Sequence, residues 1–258
     1  MIPLLDQLTA ATGLGQDWFR AVALVFLRVG AVMALMPAFG EQVVPQRIRL
    51  ILTLAFTAIV APAVFAPVTA TTGLVGPAAI EVAVGLAIGI GLRMFILALQ
   101  MAASIIAQVT SLSQLFGGTT PEPQPAIGNL LTVAALALAV LAGLHIKAAS
   151  LLILSYQVLP AGGIPNSADM ADWGLMQITN ALVLAFSLAA PFVIGSVIYN
   201  VALGIINKAM PQLAVSLVGA PALTFGSLFL MALIAPLALT VWLHSFDTFL
   251  AAPFTVAP

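Results

Sequence analysis

Five stretches of this chain, residues 50–80, 94–121, 123–146, 173–207 and 209–246, contain no Asp, Glu, Lys or Arg. A helix needs about 20 apolar residues to cross the hydrocarbon of a bilayer, and each stretch is longer than that. Backbone in lipid must satisfy its own hydrogen bonds, which leaves helices and closed barrels. A lipid-facing barrel shows segments of about ten residues that alternate in polarity. Here Ala and Leu dominate and no such alternation is visible, so helices are expected. Hydrophobic residues make up 62% of the 258 and charged residues only 6%, against roughly 25% charged in soluble domains. There is too little polar surface to coat a soluble fold of this size. Lipid or apolar partner chains must cover most of the outside.

Proline and glycine divide the apolar regions. Pro37 and Gly40 end a first helix, and Pro45 starts a second. Pro62, Pro67, Gly73 and Pro77 mark one loop, and Pro160, Gly162, Gly163 and Pro165 another, after which Asp172 is placed to N-cap the following helix. The expected helices are about 16–37, 47–66, 76–112, 128–159, 172–208 and 212–250. The fold class is therefore an all-α membrane protein of about six long, partly broken helices. A signal peptide places basic residues before its apolar core. The first charges here are Asp6 and Asp17, so the first apolar run is read as a retained helix. Arg47, Arg49 and Lys208 between helices put their loops on the cytoplasmic side by the positive-inside rule.

Composition narrows the chemistry. A net charge of −1 without clustered Lys and Arg gives no footprint for nucleic acid. The absence of cysteine removes disulfides and thiolate sites, and two histidines are too few for a histidine-based metal site without carboxylate help. No nucleophile elbow, zincin or phosphate-loop motif occurs. No catalytic residue, cofactor or metal is nominated.

The charges inside apolar helices are the informative ones. Arg28 lies eight residues after Arg20 in the first helix. A charge at membrane depth usually faces protein or water. Arg20, near the helix start, fits snorkelling to the interface, whereas Arg28 fits a buried partner. Glu81 and Arg93 lie twelve residues apart on one helix, about 18 Å along its axis. They cannot pair with each other, so each needs another helix or water. Between them, Gly85 and Gly89 form a small-xxx-small pattern that lets helices approach closely. The segment 108–125 is polar and rich in Gly and Pro between two apolar helices. It reads either as a surface loop, the plainer choice, or as a constriction covered by protein.

Three motifs in order carry a resemblance. They are Leu27-Arg28 through Pro37-Ala38-Phe39-Gly40 followed by Val44-Pro45-Gln46-Arg47-Ile48-Arg49, then Glu81 through Gly85 and Gly89, then Ala209-Met210-Pro211-Gln212-Leu213 through Gly219-Ala220-Pro221. Together the chain resembles the FliR family of flagellar biosynthesis proteins and its type III secretion relatives. The resemblance implies a protein-export gate subunit in the bacterial inner membrane, at the flagellar basal body or a secretion apparatus. It implies assembly with FliP-like and FliQ-like chains into a helical channel for unfolded substrate proteins, with a FlhB-like protein beside it. It implies a FliP-like portion over 1–165 and a FliQ-like hairpin over 166–258, whose tip carries Lys208, Pro211 and Gln212. It further implies a pore plug at Gln114, Leu115, Phe116, Gly117 and Gly118. Arg28, Glu81 and Arg93 become charges that pair with sibling subunits. The chain departs from the usual pattern in having no acidic residue between Glu81 and Glu122. Thr224 and Phe225 also follow Pro221 and Ala222, where a basic residue is common. A polytopic small-solute transporter is the alternative, with polar groups at paired broken helices as its expected mark.

Overall fold

The computed structural model describes residues 2–64, 75–110, 126–210 and 215–254, and side chains within 18–64, 75–109, 128–210 and 225–254. The described residues form seven α-helices and no strand: α1 Ile2–Leu35, α2 Gln46–Ala63, α3 Val75–Thr110, α4 Ala126–Leu141, α5 Leu144–Val158, α6 Ser167–Ala209 and α7 Val215–Ala251. Five are long and apolar enough to cross a membrane, and a sixth span results if α4 and α5 are one broken crossing.

The expected helices are present with three differences. α1 starts well before residue 16. α6 starts at Ser167, where the Asn166 side-chain oxygen accepts the Ala168 N–H at 3.1 Å, so Asn166 caps it in place of Asp172. The expected 128–159 helix is two helices. Gly143 sits between them at φ +82°, and Gly143 N donates to Val140 O at 3.1 Å. That left-handed conformation is open to glycine at no steric cost.

The chain divides into two compact units, each discontinuous in sequence. The first comprises Met1–Arg93, Val140–Gln177 and Asp247–Pro258. In it α1 packs on α2 and α2 on α5. Leu24, Val29 and Met33 of α1, Val84 and Ile88 of α3, and Leu151 and Leu152 of α5 are buried. α1 and α3 touch at the backbone, because a Cβ built on Gly85 would lie 2.5 Å from the Arg28 carbonyl oxygen. The glycine pair read from the sequence therefore marks this crossing.

The second unit comprises Met94–Ala139 and Ile178–Phe246. Trp242 and Phe246 of α7 are fully buried and stacked at 5.1 Å. Phe246 meets Phe95 edge-on at 5.3 Å, and the Trp242 indole N–H donates to the Phe95 carbonyl at 2.9 Å. The opposite face of α7 is different. Phe225, Phe229, Leu233 and Leu237, four residues apart along one stripe, are 65–77% exposed. α6 carries a similar bare ridge through Ile178, Leu182, Phe186, Ile194, Val197 and Val201. Contiguous apolar surface on this scale needs cover from lipid or other chains.

Candidate functional site

An arginine in the middle of an apolar helix is stable only if its charge and its donors are met. Arg28 and Glu81 are both fully buried in the first unit and meet each other. Arg28 Nε donates to Glu81 Oε2 at 2.7 Å and Nη2 to Oε1 at 3.1 Å, a bidentate fork that fixes geometry as well as charge. Nη1 donates to Ser155 Oγ at 3.2 Å and to the Leu159 carbonyl at 3.0 Å. The Arg28 Cζ stands over the Tyr156 ring, 3.7 Å from its centroid and within cation–π range.

Glu81 is equally engaged. Besides Arg28 it accepts the Tyr156 hydroxyl at 3.0 Å and the Gly162 N–H at 3.0 Å. One charge pair thus joins α1, α3, the end of α5 and the turn after it. Each polar atom meets a partner, as a buried network requires.

Two further ion pairs tie the first unit together. Arg93 Nη1 meets Glu41 Oε1 at 2.6 Å, and Arg49 Nη2 donates to the Gly40 and Glu41 carbonyls at 3.3 and 3.0 Å. Two arginines therefore hold the 40–41 turn onto α2 and α3. Lys147 meets Asp247 at 2.7 Å with both side chains 35% exposed. Such exposed pairs stabilise by about 0–1 kcal/mol, so this one orients more than it strengthens.

Next to the buried network lies a cavity of about 580 Å³, walled by Leu159, Pro160 and Gly163 of the turn, Ile88 of α3 and Trp173 of α6. Asn166 and Asp169 stand among its few polar lining residues. Trp173 is held in place by its N–H bond to the Pro253 carbonyl at 2.7 Å. A second cavity of about 500 Å³ continues along Ile80 and Val84 beneath Ile164 and Met170.

Of the residues singled out from sequence, Arg28 and Glu81 come together and Arg93 finds Glu41, all within the chain. Gln114, Leu115, Phe116, Gly117, Gly118, Pro211 and Gln212 lie outside the described residues. Lys208 is exposed in the last turn of α6. At the end of α3 the Val109 carbonyl accepts the Ser196 hydroxyl at 2.9 Å, and Asn200 in turn donates to Ser196. Sequence reasoning missed Glu41, Ser155 and Tyr156. The available signal was the adjacent Ser155-Tyr156 pair near the end of an otherwise apolar helix. Among the described residues no group of three His, Cys, Asp or Glu is placed to hold a metal ion.

The sequence matches the family described as bacterial export proteins, family 1, over residues 19–249. It is similar to the flagellar biosynthetic protein FliR of Caulobacter vibrioides, 34% identical over 85% of this chain and 90% of that protein. It is 28% identical to the flagellar biosynthetic protein FliR of Escherichia coli, over 90% of this chain and 92% of that protein. The protein of that name in Bacillus subtilis is 29% identical over 80% of this chain and 82% of its own length.

Proposed function

Because the chain belongs to the bacterial export proteins, family 1, we propose that it is the FliR-type subunit of a flagellar protein-export gate. In this reading it sits in the inner membrane at the flagellar basal body. It assembles with FliP-like and FliQ-like chains into a helical channel for unfolded substrate proteins, with a FlhB-like protein beside it. The observation that carries the reading is the match, over 85–90% of this chain, to proteins named for flagellar biosynthesis. The bare apolar ridges of α6 and α7 support it, since sibling helices suit such surfaces as well as lipid does. A gate works by shape and seal, so the chain is given no catalysis of its own.

Residues 1–165 form the FliP-like portion and 166–258 the FliQ-like hairpin, whose tip carries Lys208, Pro211 and Gln212. Gln114, Leu115, Phe116, Gly117 and Gly118 plug the closed pore. Glycines allow that segment to yield, while Leu115 and Phe116 fill a narrow lumen without bonding to passing backbone.

The test purifies the full chain after co-expression with FliP-like and FliQ-like chains of the same organism. One complex containing all three is expected. Deleting residues 117–125 should leave that complex intact and raise its small-ion flux in liposomes. A stable chain that purifies alone beside them contradicts the gate. An intact complex with unchanged flux contradicts only the plug.

A further inference from the structure

The turn after α5 is gripped from inside by the buried ion pair. Its Leu159 carbonyl and Gly162 N–H are three residues apart, the spacing at which a β-turn bonds to itself. Here the carbonyl accepts from Arg28 at 3.0 Å and the N–H donates to Glu81 at 3.0 Å. The turn's own bond runs one residue later, from Gly163 N to Pro160 O at 3.1 Å. Gly162 is at φ +67°, a shape in which other residues are strained. The grip also buries one side chain selectively. Ala161 is 8% exposed, while Ile164 three residues on is 85% exposed. Leu159, Pro160 and Gly163 of this same turn wall the 580 Å³ cavity against Ile88 and Trp173.

We propose that the Arg28–Glu81 pair is a latch that holds the 159–163 turn closed as the movable wall of this cavity. Losing the charge pair frees both backbone grips at once. The turn then swings outward, Ala161 becomes accessible, and the apolar groove along α3 opens. Helices α1, α3 and α5 remain packed through Gly85, Gly89 and their buried aliphatic side chains. Closure is therefore a local two-state property of the turn, separable from the fold of the unit.

The native chain has no cysteine, so a single introduced thiol reports cleanly. Ala161→Cys is made in the full chain, in membrane vesicles, and its rate of modification by N-ethylmaleimide is measured. Ala139→Cys, at a 2% exposed position in the second unit, reports general loosening. Adding Glu81→Gln should raise the rate at position 161 by about tenfold or more, because the Gly162 N–H loses its charged acceptor and Arg28, which holds the Leu159 carbonyl, loses the carboxylate that fixes it. Tyr156→Phe, which removes one neutral donor and keeps the ion pair, should raise it about threefold. Support is a rise at 161 with Glu81→Gln that exceeds any rise at 139. No rise at 161 with Glu81→Gln, or a rise at 139 as large as that at 161, overturns the latch.

Discussion

Glu81→Ala is expected to destabilise the chain by about 3–5 kcal/mol, the cost of leaving a buried charge without its partner. Arg28 cannot turn toward water, because its side chain is fully buried among Glu81, Ser155, Tyr156 and the Leu159 carbonyl. The loss also strands the Tyr156 hydroxyl and the Gly162 N–H. Removing both charges, as Arg28→Met with Glu81→Leu, should recover only part of the deficit. An apolar replacement of a buried pair is often neutral. Here, however, the Leu159 carbonyl and Gly162 N–H lose their partners, so the turn either keeps them unpaired at about 1–3 kcal/mol each or opens to water and gives up its buried contacts. Thermal unfolding of the wild type and the two variants should therefore rank wild type above the double and the double above Glu81→Ala. A single variant within about 1 kcal/mol of wild type would mean that the pair matters much less than a buried bridge should.

The second large effect is expected at Gly85. A Cβ there would lie 2.5 Å from the Arg28 carbonyl oxygen and 2.8 Å from the Ala31 Cβ. Both neighbours are rigid parts of α1, so the helices must separate. Overpacking of this kind costs about 1–3 kcal/mol, against about 1 kcal/mol that Ala gains over Gly in helix propensity. The net loss grows with size, so Gly85→Val should be worse than Gly85→Ala. Gly174 in α6 is the control, since a Cβ there meets nothing within 4 Å. Gly174→Ala should be neutral or stabilising by up to about 1 kcal/mol. Melting temperatures in the same detergent decide between these outcomes. Equal effects at positions 85 and 174 would remove the close α1–α3 crossing from the explanation.

The helices were legible because charge-free runs of Ala and Leu leave a chain few other ways to satisfy its backbone in lipid. A close approach to α3 was legible as a glycine pair at positions 85 and 89, but that α1 is the helix that approaches was not. The break at Gly143 was not. One glycine inside a long apolar run does not reveal its φ, and tertiary packing decides whether the helix bends there. The need of Arg28 for a partner followed from its depth, but the partner's identity did not, since Glu81 is 53 residues away. Glu41 carries no sequence signal of its own, and only the fold brings Arg93 beside it. Tyr156 and Ser155 carry no motif, and only the packing of α5 brings them under Arg28. Capping by Asn166 in place of Asp172 is a difference of one helical start signal among several polar residues in that loop.

The most direct test of the export role removes this chain from its own organism and measures flagellar proteins in the culture medium. The expected result is that filament protein is absent from the medium and accumulates inside the cell. Restoring the wild-type chain should restore secretion, and restoring Glu81→Ala should not. Undiminished secretion in cells lacking the chain would contradict the assignment of this chain to the gate.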